Sequence, residues 1–307
     1  MSFFYLGPII KKRREQMQCT QEDLADGICS VPTLSRIENG ERMPSKSNLE
    51  MLLQRLGYSD NMVDMYIDED EFHKHDLKYQ IRQAYILGNI SKASAFYTEL
   101  DSILHEPTSS ELQFMELYHI LLNKRNYSRD VQQSYFENAL KRTCPKYSSG
   151  VFPVVLSYEE IILLNNIALC LFDGGKQEES VAMLIGLKHY YEAKIVNQEE
   201  RLRTQPMTLY NLSKMLGLMG RYNECVDVCN AGIRLAQETG RCNVLPGTLY
   251  NKAWALIKGQ DKFEMGKERA EQLLKKAYYI AVCMSKMDEA KHYEGFYFSN
   301  YGKHLSL

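Results

Sequence analysis

The sequence predicts an all-α chain built from two dissimilar parts, and three observations carry that prediction. Residues 19–44, CTQEDLADGICSVPTLSRIENGERMP, read as two short capped helices joined by a tight turn. From about residue 76 to the end, apolar residues recur at helical spacing with no convincing alternating strand. The helical stretches there are broken by short Gly, Asn or Asp turns that return at long, regular intervals. With 307 residues, 45% of them hydrophobic and 25% charged, the chain is long enough for two domains and a large core.

The first of the two capped helices begins at Thr20, whose hydroxyl accepts from the free amides of the first turn. Asp23 lies three residues on, and Glu22 suits the positive end of the helix dipole. Leu24, Ala25 and Ile28 supply its buried face. The second helix begins at Ser30, and its first turn tolerates Pro32 because those amides have no partner within the helix. Leu34 and Ile37 point inward. Asn39-Gly40 ends it, since glycine enters the left-handed conformation without steric cost.

Ile9 to Arg13, Thr20 to Ala25 and Ser35 to Gly40 occur in the order and near the spacing of Ile-x-x-x-Arg, Thr-Gln-x-x-Leu-Ala and Ser-Arg-Ile-Glu-x-Gly. In these residues the chain, over about 1–58, resembles the lambda-repressor-like (XRE) family of helix-turn-helix DNA-binding domains. The turn Gly27-Ile28-Cys29-Ser30 is one residue shorter than the commonest family form. The resemblance implies that Gln21 meets phosphate or buttresses the reading helix, and that Ser30, Val31, Pro32 and Thr33 face base edges in the major groove. It also implies that Arg36, Asn39, Arg42 and Lys46 hold phosphates, or a guanine edge in the case of Arg36, and that Arg13 and Glu38 form an internal ion pair. One such module contacts few base pairs, so a homodimer on a palindromic double-stranded operator is expected.

Bulk charge does not do the work of DNA binding. The net charge is −2, and residues 1–60 hold eight Lys/Arg against eight Asp/Glu, so arrangement must decide. The N-terminal MSFFYLGPIIKKRR places apolar residues before basic ones and lacks a small-residue cleavage site. No apolar run approaches the roughly 18 residues of a membrane span, so a cytoplasmic protein with no membrane partner is expected. Eight cysteines without a CxxC pair read as reduced thiols. Cys225 and Cys229 read as small core residues, and His73 with His75 as solvated linker, so no metal or cofactor is expected. No Walker loop, nucleophile elbow or HExxH occurs, and the chain is read as a non-enzyme without catalytic residues. Residues 59–75 form an acidic linker, with seven acids and one lysine between Asp60 and Asp76.

Residues 76–307 repeat. The unit PMTLYNLSKMLGLMGRYNECVDVCNAGIRLAQ from Pro206 carries Gly220, Tyr222, Cys225, Cys229 and Gly232 in the places of a tetratricopeptide turn glycine, aromatic and small packing residues. It resembles a TPR hairpin. Further turns at Gly88, Arg125, Gly175 and Gln260 give intervals of 37, 50, 45 and 40 residues, against a usual period of about 34. About five hairpins are expected, stacked into a superhelix, with a C-terminal cap closed by Tyr293, Phe296 and Tyr297.

Three first helices carry asparagine at one repeat position: Asn166 (beside Asn165), Asn211 and Asn251. An amide offers both donor and acceptor, so such a ladder suits the backbone of an extended peptide. Tyr210, Tyr250 and Trp254 supply aromatic walls, and Lys214 a partner for a carboxylate. The plainer reading is that the asparagines bond between helices while the tyrosines fill the core.

Helix-turn-helix and degenerate TPR hairpins in one chain of this length resemble the RRNPP family of peptide-pheromone regulators. That resemblance implies cytoplasmic dimers whose groove binds a short signalling peptide and thereby alters operator binding, with the two heads moved through the acidic linker. The alternative is a repressor or adaptor whose TPR part binds a folded protein partner.

Overall fold

The computed structural model describes residues 6–57, 69–145, 155–192, 198–259 and 265–305. Fifteen α-helices are found among them, and no strand. Four short ones form the N-terminal head: α1 (Leu6–Gln16), α2 (Gln21–Ala25), α3 (Val31–Glu38) and α4 (Lys46–Arg55). The caps are where the side chains place them. Thr20 and Asp23 form a reciprocal capping box on α2, and Ser30 Oγ accepts from Thr33 N at 3.3 Å on α3. Ile10, Leu24, Leu34, Ile37, Leu52 and Leu56 fill the centre of the head at 0–1% exposure.

The remaining helices follow as consecutive pairs: α5 (Glu69–Ile86) and α6 (Ile90–Ile103), α7 (Ser109–Leu122) and α8 (Arg129–Lys141), α9 (Tyr158–Asp173) and α10 (Gln177–Glu192), α11 (Gln198–Leu218) and α12 (Tyr222–Thr239), α13 (Leu245–Lys258) and α14 (Gly266–Cys283). A last helix, α15 (Met287–Tyr301), packs on α14. The turns fall at Gly88, at the 3-10 turn Lys124–Asn126, at Gly175 and at Gly220. The turn expected at Gln260 lies outside the described residues, as do residues 59–68 of the acidic segment. The rest of that segment, from Glu69, is the opening of α5, where His73 Nε2 lies 3.3 Å from Glu99 Oε1 of α6.

The helices group into two compact units, residues 1–174 with 189–201, and residues 175–188 with 202–307. The head therefore does not stand apart; it belongs to the first unit. Arg55, at the end of α4 and 3% exposed, explains why. Its guanidinium donates to the carbonyl of Asp26 in the head, to Thr143 O at 2.6 Å after α8, and to Glu160 Oε1 at 3.2 Å on α9. Thr143 Oγ1 donates to the same carboxylate at 2.6 Å and Ser157 N to its other oxygen at 2.7 Å. Gly27 permits the approach: with φ +72°, a Cβ there would stand 2.0 Å from Thr143 O. Lys78 of α5 bridges Glu50 of the head (3.3 Å) and Glu111 of α7 (3.7 Å), and Val155 joins the head's own core.

In the second unit, alanines pack the helices closely: Ala253 and Ala255 on α13, Ala270, Ala277 and Ala281 on α14 are all fully buried. Cys225 and Cys229 of α12 are fully buried as well, and Cys225 Sγ donates to Asn251 O at 3.8 Å. On α15, Tyr293 and Tyr297 are buried while Phe296 is half-buried, and Tyr297 OH donates to Glu271 of α14 at 2.9 Å.

Removing one partner of the Arg55–Glu160 pair strands a buried charge, so Arg55→Met is expected to cost about 3–5 kcal/mol in urea unfolding. The double variant Arg55→Met, Glu160→Met recovers part of that loss. Burial pushes the Glu160 carboxyl up, but the Arg55 charge and the bonds from Thr143 and Ser157 outweigh it and hold the group below its ordinary value. A carboxyl depressed on folding stabilises fully above its unfolded pKa, about 4.3, and loses that contribution as pH falls toward the folded value. Urea titrations below pH 5 should show this slope in the wild type and its absence in Glu160→Gln.

Candidate DNA-reading face and ligand cavity

Helix α3 presents its first turn and one long edge outward. Ser30 and Pro32 are exposed, Val31 and Thr33 half-buried, and Ser30 Oγ lies 2.9 Å from Thr33 Oγ1. Arg36 and Asn39 are exposed further along that edge, and Arg42 just beyond it. Amides of Glu41 and Arg42 close on Arg36 O at 2.8 and 3.2 Å, which fixes the loop that carries Arg42. Lys46 opens α4, and its side chain lies outside the described residues.

Behind this face stands Glu38, 2% exposed. Gln21 Nε2 donates to its Oε2 at 2.8 Å, so Gln21 braces α2 against the reading helix. The arginine that pairs with Glu38 is Arg14, at 2.6 and 2.9 Å, and not Arg13 as the family resemblance implies. Helical phase gives the reason. Ile10, Arg14 and Met17 follow at four and three residues and are all buried on the face of α1 toward the head's interior, whereas Arg13 is turned aside and donates to Leu56 O at 3.2 Å. Arg14 also donates to Cys19 O at 2.9 Å, tying the end of α1 to the start of α2.

The second unit holds a cavity of about 560 Å³. Tyr210, Tyr250, Trp254 and Tyr293 line it, together with Lys214, Asp288, Glu289 and His292. Tight backbone approach sets two of the walls. A Cβ at Gly247 would stand 2.4 Å from the Tyr210 ring, and one at Gly217 would stand 3.3 Å from Trp254. Tyr250 stacks on Tyr293 with ring centroids 4.9 Å apart and meets Phe296 edge-on at 5.4 Å.

Five of the sequence-selected residues, Tyr210, Lys214, Tyr250, Asn251 and Trp254, therefore share one cavity. Asn251 Nδ2 donates to Ser213 Oγ at 3.0 Å and lies 3.4 Å from Tyr210 O, which anchors α13 to α11 at the cavity wall. Asn211, 7% exposed on α11, is not among the lining residues. Asn165 and Asn166 belong to the first unit. Asn165 is fully buried, with Nδ2 donating to Ile161 O at 3.0 Å. Asn166 bonds Ile162 O at 2.8 Å and accepts from Lys124 Nζ at 3.0 Å. Sequence reasoning missed the α15 lining and the two wall glycines. The glycines had a signal, since each interrupts an otherwise well-formed helical stretch.

Residues 10–61 match the helix-turn-helix family HTH_3. No curated protein matches the chain significantly. Among solved structures, PlcR of Bacillus thuringiensis in complex with the peptide PapR7 and DNA superposes with a TM-score of 0.59 at 22% identity, covering 93% of this chain and 98% of that one. ComR from S. thermophilus in complex with DNA and its signalling peptide ComS gives 0.53 at 16% identity, covering 96% and 99%. The apo competence regulator ComR from Streptococcus vestibularis gives 0.54 at 16%, covering 98% and 99%. The chain thus carries an N-terminal helix-turn-helix domain and shares the all-helical fold of these regulators from end to end.

The two adjacent arginines separate in unfolding experiments. Arg14→Met leaves Glu38 buried without its cation and should cost about 3–5 kcal/mol. Arg13→Met removes one half-buried hydrogen bond and should cost about 1 kcal/mol. Equal losses would contradict the assignment of the pair.

Proposed function

We propose that this protein is a transcriptional regulator that reads a palindromic operator as a homodimer and binds a short signalling peptide in its repeat domain, which modulates operator binding. The observation that carries this reading is the conjunction, in one chain with the fold of PlcR and ComR, of an outward-facing helix α3 and an aromatic-lined cavity that also holds charged side chains. PlcR and ComR are solved with peptide and DNA together, and a chain that keeps both features is suited to the same two partners.

On DNA, Val31, Pro32 and Thr33 meet base edges and the Val31 and Thr33 methyls suit thymine, while Arg36 takes a guanine edge or phosphate. Asn39, Arg42 and Lys46 hold phosphate, and Gln21 acts by bracing Glu38. In the repeat domain, Tyr210, Tyr250 and Trp254 take apolar side chains of the peptide, and Lys214 takes a carboxylate. Asn251, with its donor committed to Ser213, keeps its carbonyl for a peptide N–H. Among the described residues no helix is long and apolar enough to cross a membrane, which accords with a cytoplasmic regulator. The reading involves no catalytic step. A folded protein as the ligand is disfavoured because a cavity of about 560 Å³ encloses a ligand of a few residues, whereas folded partners dock over broad surfaces.

Pull-down of the full chain from its native cells, followed by mass spectrometry of what elutes, should return a short peptide; a folded protein in its place would overturn the reading. With operator DNA, the double variant Thr33→Ala, Arg36→Ala is expected to weaken binding by at least about 30-fold in fluorescence anisotropy, since each of the two base contacts contributes at least about 1 kcal/mol. Undiminished affinity would remove these residues from the interface. In the cavity, Gly247→Val displaces the Tyr210 ring and should lower affinity for the eluted peptide at least about tenfold, a loss of one good apolar contact. Retained affinity would place the peptide elsewhere.

A further inference from the structure

Helix α3 carries outward-facing residues along its whole length, so the seats of both its ends decide what those residues meet. Ser30 caps the start. The other end is held by α1. Gly7, the second residue of α1, is buried, and a Cβ on it would stand 2.0 Å from Ile37 O and 3.0 Å from Glu38 O in the last turn of α3. Both are main-chain atoms, so neither gives way as the tip of a side chain would.

Gly7, Ile10, Arg14 and Met17 follow at three, four and three residues and share the buried face of α1. Helix α1 therefore meets the end of α3 twice, through the main chain at Gly7 and through the Arg14–Glu38 pair two turns further on. The contact at Gly7 sets the N-terminal end of one helix against the C-terminal end of the other, a favourable meeting of opposite partial charges. Ile37 O also accepts from Gly40 N at 3.0 Å, and Arg36 O from the amides of Glu41 and Arg42. The atoms that Gly7 touches thus belong to the same turn as the exposed Arg36 and Asn39.

We propose that Gly7 is a positioning residue for DNA reading: its missing side chain lets α1 close on the end of α3, and this close approach fixes the tilt at which α3 presents Arg36 to a base edge. The assignment rests on the DNA reading given under the proposed function. A methyl group at position 7 needs roughly 1 Å or more of added separation to reach ordinary contact, whereas hydrogen bonds to base edges hold over a window of about 0.5 Å. Phosphate contacts made by long side chains absorb such a shift and carry no sequence information. Gly7 therefore governs discrimination between operator and other DNA, and leaves sequence-independent binding to the surface cations.

The test uses the full chain, a duplex enriched from a random-sequence pool by the wild type, and a scrambled duplex of the same composition. Fluorescence anisotropy at one fixed salt concentration gives the ratio of the two affinities. Gly7→Ala is expected to lower affinity for the enriched duplex at least about tenfold, the worth of one base contact, and for the scrambled duplex by no more than about twofold. A smaller folded fraction weakens both duplexes by one factor and leaves the ratio alone. Leu49→Ala, in the head core on α4, supplies that comparison and should keep the wild-type ratio. An unchanged ratio in Gly7→Ala, loss on both duplexes alike, or an equal fall of the ratio in Leu49→Ala overturns the assignment. A second arm repeats Gly7→Ala in the Arg36→Ala background. There it should cost clearly less affinity for the enriched duplex, because the contact it misplaces is already gone; equal costs in the two backgrounds overturn the route through Arg36. A wild-type chain that enriches no sequence contradicts the DNA reading and this assignment together, whereas enrichment with an unchanged ratio contradicts this assignment alone.

Discussion

The structure of the first unit depends on the burial of Arg55. A guanidinium at 3% exposure is unfavourable unless its donors are met, and here they are met by three segments that lie far apart in sequence: Asp26 in the head, Thr143 after α8 and Glu160 on α9. No one of these segments completes the arrangement alone. Arg55 has its donors met only by packing on the hairpins, and Glu160 gains its counter-charge only from the head. Lys78 repeats the device with Glu50 and Glu111, and Val155 adds an apolar contact in the middle.

The shared ion pairs decide how the head is placed. A head held by a flexible tether is placed by the tether. A head that shares buried ion pairs with the first hairpins is placed by them. The side of the head that docks, the end of α4 and the Gly27 turn, is distinct from the exposed edge of α3 that carries Pro32, Arg36 and Asn39. Docking therefore leaves the edge of α3 that carries Pro32, Arg36 and Asn39 exposed.

Much of this was legible in the residues. Local rules suffice for the caps at Thr20 and Ser30 and for the turns at Gly88, Gly175 and Gly220, because each is decided within four or five residues. The aromatic and polar residues chosen on α11 and α13 met in one cavity because helical phase and the repeat together bring the same positions to one side. What failed needed three dimensions. Arg13 and Arg14 are adjacent and identical in type, and a motif aligned by eye does not distinguish them; the count from Ile10 and Met17 does. Nothing local marks Arg55 as buried, since its partners lie 88 and 105 residues away.

The claim on which this account rests is that the head and the first hairpins form one cooperative unit through Arg55. Native-state hydrogen exchange by mass spectrometry, read across a urea series, tests it most directly. Helices α1–α4 and α7–α9 should lose protection at one common urea concentration in the wild type, and should separate in Arg55→Met. Loss of protection in α1–α4 at clearly lower urea in the wild type itself would contradict the account.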